Sequence, residues 1–169
     1  MCELFTGTFF FAMRSCKYLK VSGQRKTKLL CIKNIRFFRG KHLLLHNNKF
    51  LHLADSVSIT FEQQKRDLSN ETITHHRTND KILCPVKIWC KIIRRIISYP
   101  SISPDNPVNS FLCPDGKLHY FTGTELLKHL RLATKALGES QIGLHSARSG
   151  AAMAIYLAGV PVFTIMLLG

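Results

Sequence analysis

The stretch DSVSITFEQQ at residues 55–64 decides the fold, because Val57, Ile59 and Phe61 alternate there with polar residues. A period of two places those three side chains on one face of a half-buried strand. Residues 65–70 read as a turn, and ETITHHR at 71–77 as the returning strand of a hairpin, with His75 and His76 as exposed strand residues. Beyond Asp80 the period changes: Ile82, Val86, Trp89, Ile93, Ile96 and Ile97 recur at three and four, the spacing of an amphipathic helix ending near Tyr99 and Pro100. Lys87, Lys91, Arg94 and Arg95 form a second stripe on it, which reads either as a solvated face or as a DNA-facing one.

Upstream, residues 4–21 read as one helix, with Phe10, Met13, Leu19 and Val21 apolar and Thr6 or Thr8 as its cap. LLCIKNIRFF at 29–38 is rich in strand formers, and Gly40 marks a turn. Downstream, residues 101–114 read as loop, since four of the six prolines lie between Pro100 and Pro114. Thr122 or Thr124 opens a helix running to about Leu137, with Leu126, Leu127, Leu130 and Ala133 on its apolar side and Gly138 closing it. The order, a helix, a small antiparallel sheet in the N-terminal half and then mostly helices, makes the fold class α+β. A length of 169 residues suits a single domain.

Charge sets the class of partner. The formal net charge is +14, and no acid lies between Leu4 and Ala54, where eleven Lys and Arg sit. Such an excess favours a polyanion, either nucleic acid or an acidic membrane surface, and argues against a cationic ligand. The six cysteines (Cys2, Cys16, Cys31, Cys84, Cys90, Cys113) contain no CxxC pair and read as reduced thiols of a cytosolic or nuclear protein. Glu3 stands where the positive region of a signal peptide belongs, so secretion is not expected. Residues 149–169 carry no charge over 21 positions. Gly159 and Pro161 divide that run into pieces shorter than the roughly 20 residues a membrane helix needs, so two buried core helices are expected instead of a tail anchor.

LHSARSGAAMAIYLAGVPVFTIMLLG, residues 144–169, resembles the HxxR box of the tyrosine recombinase (phage integrase-type) catalytic domain, here closest to integrase-like proteins of mobile elements. His145 and Arg148 fall on the His and Arg of the box, followed by AGVP and LLG at the family's spacing. FFFAMRSCKYL at 9–19 resembles the family's first box, a helix presenting a catalytic arginine, here Arg14. The hairpin carrying QQKRD resembles the strand pair with a catalytic lysine, here Lys65. Two departures stand out. Lys17 occupies a position that is usually acidic in the family, and the sequence stops at Gly169, ahead of the place where the family has a His or Trp and then its tyrosine nucleophile. Residues 1–169 are therefore expected to form a catalytic domain lacking both ends, with Tyr18, Tyr99, Tyr120 and Tyr156 in the wrong segments to substitute.

The resemblance implies DNA strand cleavage and rejoining in recombination and integration, on double-stranded DNA, with a homo-oligomer on DNA as a further implication. It implies no metal or nucleotide cofactor. The location would be nuclear in a eukaryote and cytoplasmic otherwise. The chemistry suits the residues. Two guanidiniums, Arg14 and Arg148, give bidentate hydrogen bonds to a phosphate and never lose their charge. By the same resemblance Lys65 protonates the leaving oxygen and His145 assists. Two other readings stay open from the residues: a non-catalytic DNA-binding remnant of a mobile element, and a basic tail-anchored membrane protein.

Overall fold

The computed structural model describes residues 2–19, 28–62, 70–135, 138 and 142–167. Among these, the elements run α1 (Cys2–Phe10), α2 (Ser15–Tyr18), β1 (Ile35–Arg39), β2 (His42–Leu44), β3 (Ser56–Phe61), β4 (Glu71–His76), α3 (Pro85–Ile97), β5 (Ser110–Leu112), β6 (Leu118–Tyr120), α4 (Gly123–Lys135), α5 (Ser146–Leu157) and α6 (Val162–Leu167). The mixed α+β class expected from the sequence is what the chain adopts, with a four-stranded antiparallel sheet in the order β2-β1-β3-β4 and a separate β5-β6 hairpin.

The sheet and α3 make the core. β3 lies centrally, pairing Ile35 with Ile59 on one side and Ile59 with Ile73 on the other. Its burial is nearly continuous instead of alternating. Ser58 explains why: it is small, flanked by Arg36 and Thr74 on the neighbouring strands, and its Oγ shares a hydrogen bond of 2.7 Å with Thr74 Oγ1. The 29–38 segment becomes a strand only from Ile35, because residues 32–34 form a 3-10 turn in which Asn34 Oδ1 accepts the Cys31 N–H at 2.8 Å.

α3 begins with Pro85 in its first turn, where a missing N–H costs nothing. Trp89, Ile93 and Ile96 are fully buried, as their spacing predicts. Ile82, by contrast, lies ahead of the helix and is 79% exposed, since Asp80 Oδ1 accepts the Ile82 and Leu83 N–H groups and holds that segment in a turn. On the stripe side, Lys87 donates to the Asp80 carbonyl at 3.1 Å and Arg94 to the Lys49 carbonyl at 3.3 Å.

α1 carries apolar residues on more than one face because it is packed on two sides. On one side Gly7 lets the backbone sit against Trp89, where an added Cβ would lie 3.1 Å from the ring. On the other, Phe9 meets Gly150 of α5. The single helix expected over residues 4–21 is broken after Phe10. Ala12 adopts φ 45°, its N–H reaches the Phe9 carbonyl and the Met13 N–H reaches the Thr8 carbonyl, both at 3.0 Å. That pair of bonds is a Schellman turn. The break buries both Phe11 and Met13, which on one continuous helix would point about 200° apart.

Further along, the loop expected over 101–114 contains β5, paired with β6 in the register Leu112 to Leu118. The turn between them is the Asp115–Gly116 pair, with Gly116 at φ 78°. α4 opens as expected at Thr122, whose Oγ1 accepts the Glu125 N–H while Glu125 accepts the Thr122 N–H in return. Leu126 is buried on it, but Ala133 faces solvent.

The C-terminal pair departs most. Gly159, at φ 83°, and Pro161 do divide the uncharged run into α5 and α6, through a second Schellman turn in which Gly159 and Val160 donate to Tyr156 and Ile155. The two helices are not core, however. Among their described side chains only Ala147 and Ala151 are buried, while Leu157 is 76% and Phe163 68% exposed. No helix among the described residues is long and apolar enough to cross a membrane.

Candidate functional site

The packing of α1 on α5 brings the two ends of the chain together. Arg14 sits in the break beyond α1, as the extended residue that starts α2 and not on a helix as expected. Arg148 lies in the first turn of α5 and is half-buried. The two guanidiniums are close enough to repel one another: burial first, and then the charge of Arg14, pushes the Arg148 pKa below its ordinary value. An arginine stays charged at any physiological pH, so the pair forms a fixed concentration of positive charge. Arg148 also stands in the first turn of a helix, whose macrodipole adds to an anion's attraction.

Lys17 joins this cluster. The family resemblance marks it as a place where a carboxylate is missing, but the structure gives it its own work. Lys17 is buried, and its Nζ donates to the Glu62 carbonyl at 3.1 Å, tying α2 to the end of β3. Burial is the main cause that lowers its pKa, with Arg14 adding to the effect. Glu62 gathers more of this corner through its side chain, accepting from Asn34 Nδ2 at 3.0 Å and Lys28 Nζ at 3.3 Å. Those two charge-assisted contacts hold the Glu62 carboxyl below the usual range, with Asn34 the larger influence. Nothing in the sequence spacing pointed to Lys17, because its partner is a backbone carbonyl 45 residues away.

His145 caps the start of α5. It is exposed, and its carbonyl accepts the Ser149 N–H at 3.0 Å. It precedes Arg148 by about one helical turn. Lys65 lies outside the described residues. Of the four residues singled out from the sequence, the structure therefore brings Arg14 and Arg148 into one charged cluster and puts His145 at the head of the same helix.

Two further histidines have structural surroundings of their own. His75 is half-buried instead of exposed: its ring meets Phe11 edge-on at 4.5 Å, and burial lowers its pKa. His46 donates from Nε2 to the Ile35 carbonyl at 2.7 Å, a structural role. Neither contributes to the arginine cluster through any contact described above.

No protein-family model matches this chain, and no curated protein sequence matches it.

Proposed function

We propose that this chain binds double-stranded DNA through its backbone, with Arg14 and Arg148 holding one phosphate, as the phosphate-binding part of a site-specific DNA recombinase or integrase of the tyrosine-recombinase type. The observation that carries the reading is the packing of α1 on α5, which brings Arg14, just beyond α1, within electrostatic reach of Arg148, in the first turn of α5. A bidentate phosphate fits two planar guanidiniums brought to one corner of the molecule. The net charge of +14 supports a polyanion as that ligand. In this reading His145 and Lys65 serve proton transfer at the same phosphate.

One observation favours the second reading, a DNA-binding protein without strand cleavage. Tyr18, the tyrosine nearest Arg14 in sequence, is fully buried and beyond the reach of a phosphodiester.

The test is duplex binding followed by fluorescence anisotropy across a salt series. Affinity is expected to fall steeply, with a slope of about −0.9 for each phosphate neutralised. Arg148→Ala is expected to weaken binding about 10- to 100-fold, the worth of a hydrogen bond to a charged group. Lys91→Ala, at an exposed position on α3, is expected to cost far less. Equal losses for the two variants would remove Arg148 from the interface. With a tyrosine-bearing C-terminal segment of the recombinase type supplied on the same or a second chain, a nicked suicide duplex separates the two readings: a trapped 3′-phosphotyrosine adduct supports strand transfer, and tight Arg148-dependent binding without an adduct supports the binding protein.

A further inference from the structure

The β5-β6 hairpin assembles a set of side chains that the linear spacing of the cysteines conceals. One ligand atom each from Cys113, Asp115 and His119 lies within 4.8 Å of the others. We propose that these three residues bind a divalent metal ion of zinc type, with the fourth coordination position open.

The hairpin fixes the geometry. The Cys113 N–H donates to the Lys117 carbonyl and the Gly116 N–H to the Cys113 carbonyl, both at 2.9 Å, so the turn closes tightly on Asp115 and Gly116. Phe111 pairs with His119 across the hairpin. Side chains two apart share a face, so Cys113 projects on the same side as Phe111 and His119. The aromatic ring of Phe111 lies 6.0 Å from His119 and stacks on Phe121 at 4.2 Å, giving the imidazole an apolar wall. Cys113 is a free thiol and half-buried.

Asp115 Oδ1 is used by the turn, accepting the Lys117 N–H at 3.0 Å. That bond orients the carboxylate from behind, as metal-binding carboxylates commonly are. Its Oδ2 faces Lys117 Nζ only at 3.9 Å, an exposed contact that gives way readily. The turn itself explains Asp115 and Gly116, but it requires neither a cysteine at 113 nor a histidine at 119.

The donor set selects the ion. A thiolate, an imidazole and a carboxylate together suit zinc, whereas calcium and magnesium take oxygen ligands. Zinc lies about 2.3 Å from sulfur and about 2.0–2.2 Å from nitrogen or oxygen, which sets tetrahedral ligand atoms roughly 3.3–3.8 Å apart. Small rotations of three surface side chains bring a spacing of at most 4.8 Å to that range. Binding would release the Cys113 thiol proton to solvent, leaving thiolate and carboxylate to neutralise the ion.

Cobalt(II) titration of the full chain, reduced with a non-thiol reductant, tests this, with zinc as competitor. The expected result is one equivalent bound, with the visible bands of tetrahedral cobalt, a near-ultraviolet sulfur-to-cobalt band, and displacement by zinc. Cys113→Ser should abolish the sulfur band, and His119→Ala should lower affinity about tenfold or more. Asp115→Asn keeps an oxygen to accept the Lys117 N–H while removing the charge. It should weaken binding with the far-ultraviolet dichroism unchanged, so the proposal can be judged even where Cys113→Ser fails to fold. A sulfur band that survives Cys113→Ser would move the site to another cysteine and overturn the proposal. So would a weak octahedral spectrum, unchanged affinity in both His119→Ala and Asp115→Asn, or no binding.

Discussion

Helix α3 buries eight of its thirteen residues, with Trp89 wholly enclosed, whereas α5 buries only Ala147 and Ala151 of its twelve. The two are similar in length and lie on opposite sides of α1, yet one is core and the other a platform. α3 is locked against the sheet and against Gly7. α5 rests on α1 through Phe9 and Gly150 and offers Met153, Tyr156 and Leu157 to solvent. The contrast separates what makes the chain fold from what the candidate site needs. Arg14 belongs to the solid half, placed by the break after α1, while Arg148 rides on the thinly packed one. Removing side chains from each helix measures that separation. Trp89→Ala should cost about 3–5 kcal/mol, the usual loss for a fully buried large aromatic. Tyr156→Ala should change stability by no more than about 0.5 kcal/mol, as surface substitutions do. Urea unfolding of both variants is the measurement, and a large loss for Tyr156→Ala would mean that α5 has a packing partner on its outer face.

Gly7 of α1 and Gly150 of α5, at the two packed faces of α1, sharpen the same comparison with opposite signs. A methyl at Gly7 would lie 3.1–3.3 Å from three atoms of the Trp89 ring, which is walled in and has no room to retreat. Gly7→Ala is therefore expected to destabilise by about 1–3 kcal/mol, the range for overpacking. At Gly150 the nearest atom is Phe9 Cε2 at 3.4 Å, an ordinary contact, and Phe9 is only half-buried. There the helix preference of alanine dominates, and Gly150→Ala should stabilise by up to about 1 kcal/mol. Thermal midpoints of the pair decide it. Destabilisation at both positions would show α5 seated as tightly on α1 as α3 is.

Which parts were readable follows from where their determinants lie. α3 and the β3-β4 hairpin announce themselves locally, since Trp89, Ile93 and Ile96 repeat with the helix and Val57, Ile59 and Phe61 with the strand. β5 and β6 were hidden by the surrounding prolines, although Asp115-Gly116 is a turn signal in its own right. The exposure of Val162, Phe163 and Met166 on α6 was not readable, because VFTIML is as apolar as any core segment. Arg14 and Arg148 were paired by family resemblance alone. Their proximity depends on α1 lying against α5, a contact between the two ends of the sequence that no local pattern encodes.

The break after α1 had no local signal either, and the effect expected there is small. The Schellman turn that ends α5 uses glycine at its left-handed position, Gly159, whereas the equivalent turn ending α1 uses Ala12 at φ 45°. A Cβ in that region crowds the following carbonyl, a cost of about 1–2 kcal/mol that glycine avoids. Glycine loses more backbone entropy on folding, which offsets part of the gain. Ala12→Gly is thus expected to stabilise the chain by about 0.5–1 kcal/mol, read by urea unfolding. Because both hydrogen bonds of the turn run through backbone atoms, Arg14 should keep its position and duplex affinity should stay unchanged. Unchanged or lower stability would place the break elsewhere than Ala12. A gain in stability accompanied by weaker DNA binding would assign the strained alanine a part in aiming Arg14 at the phosphate.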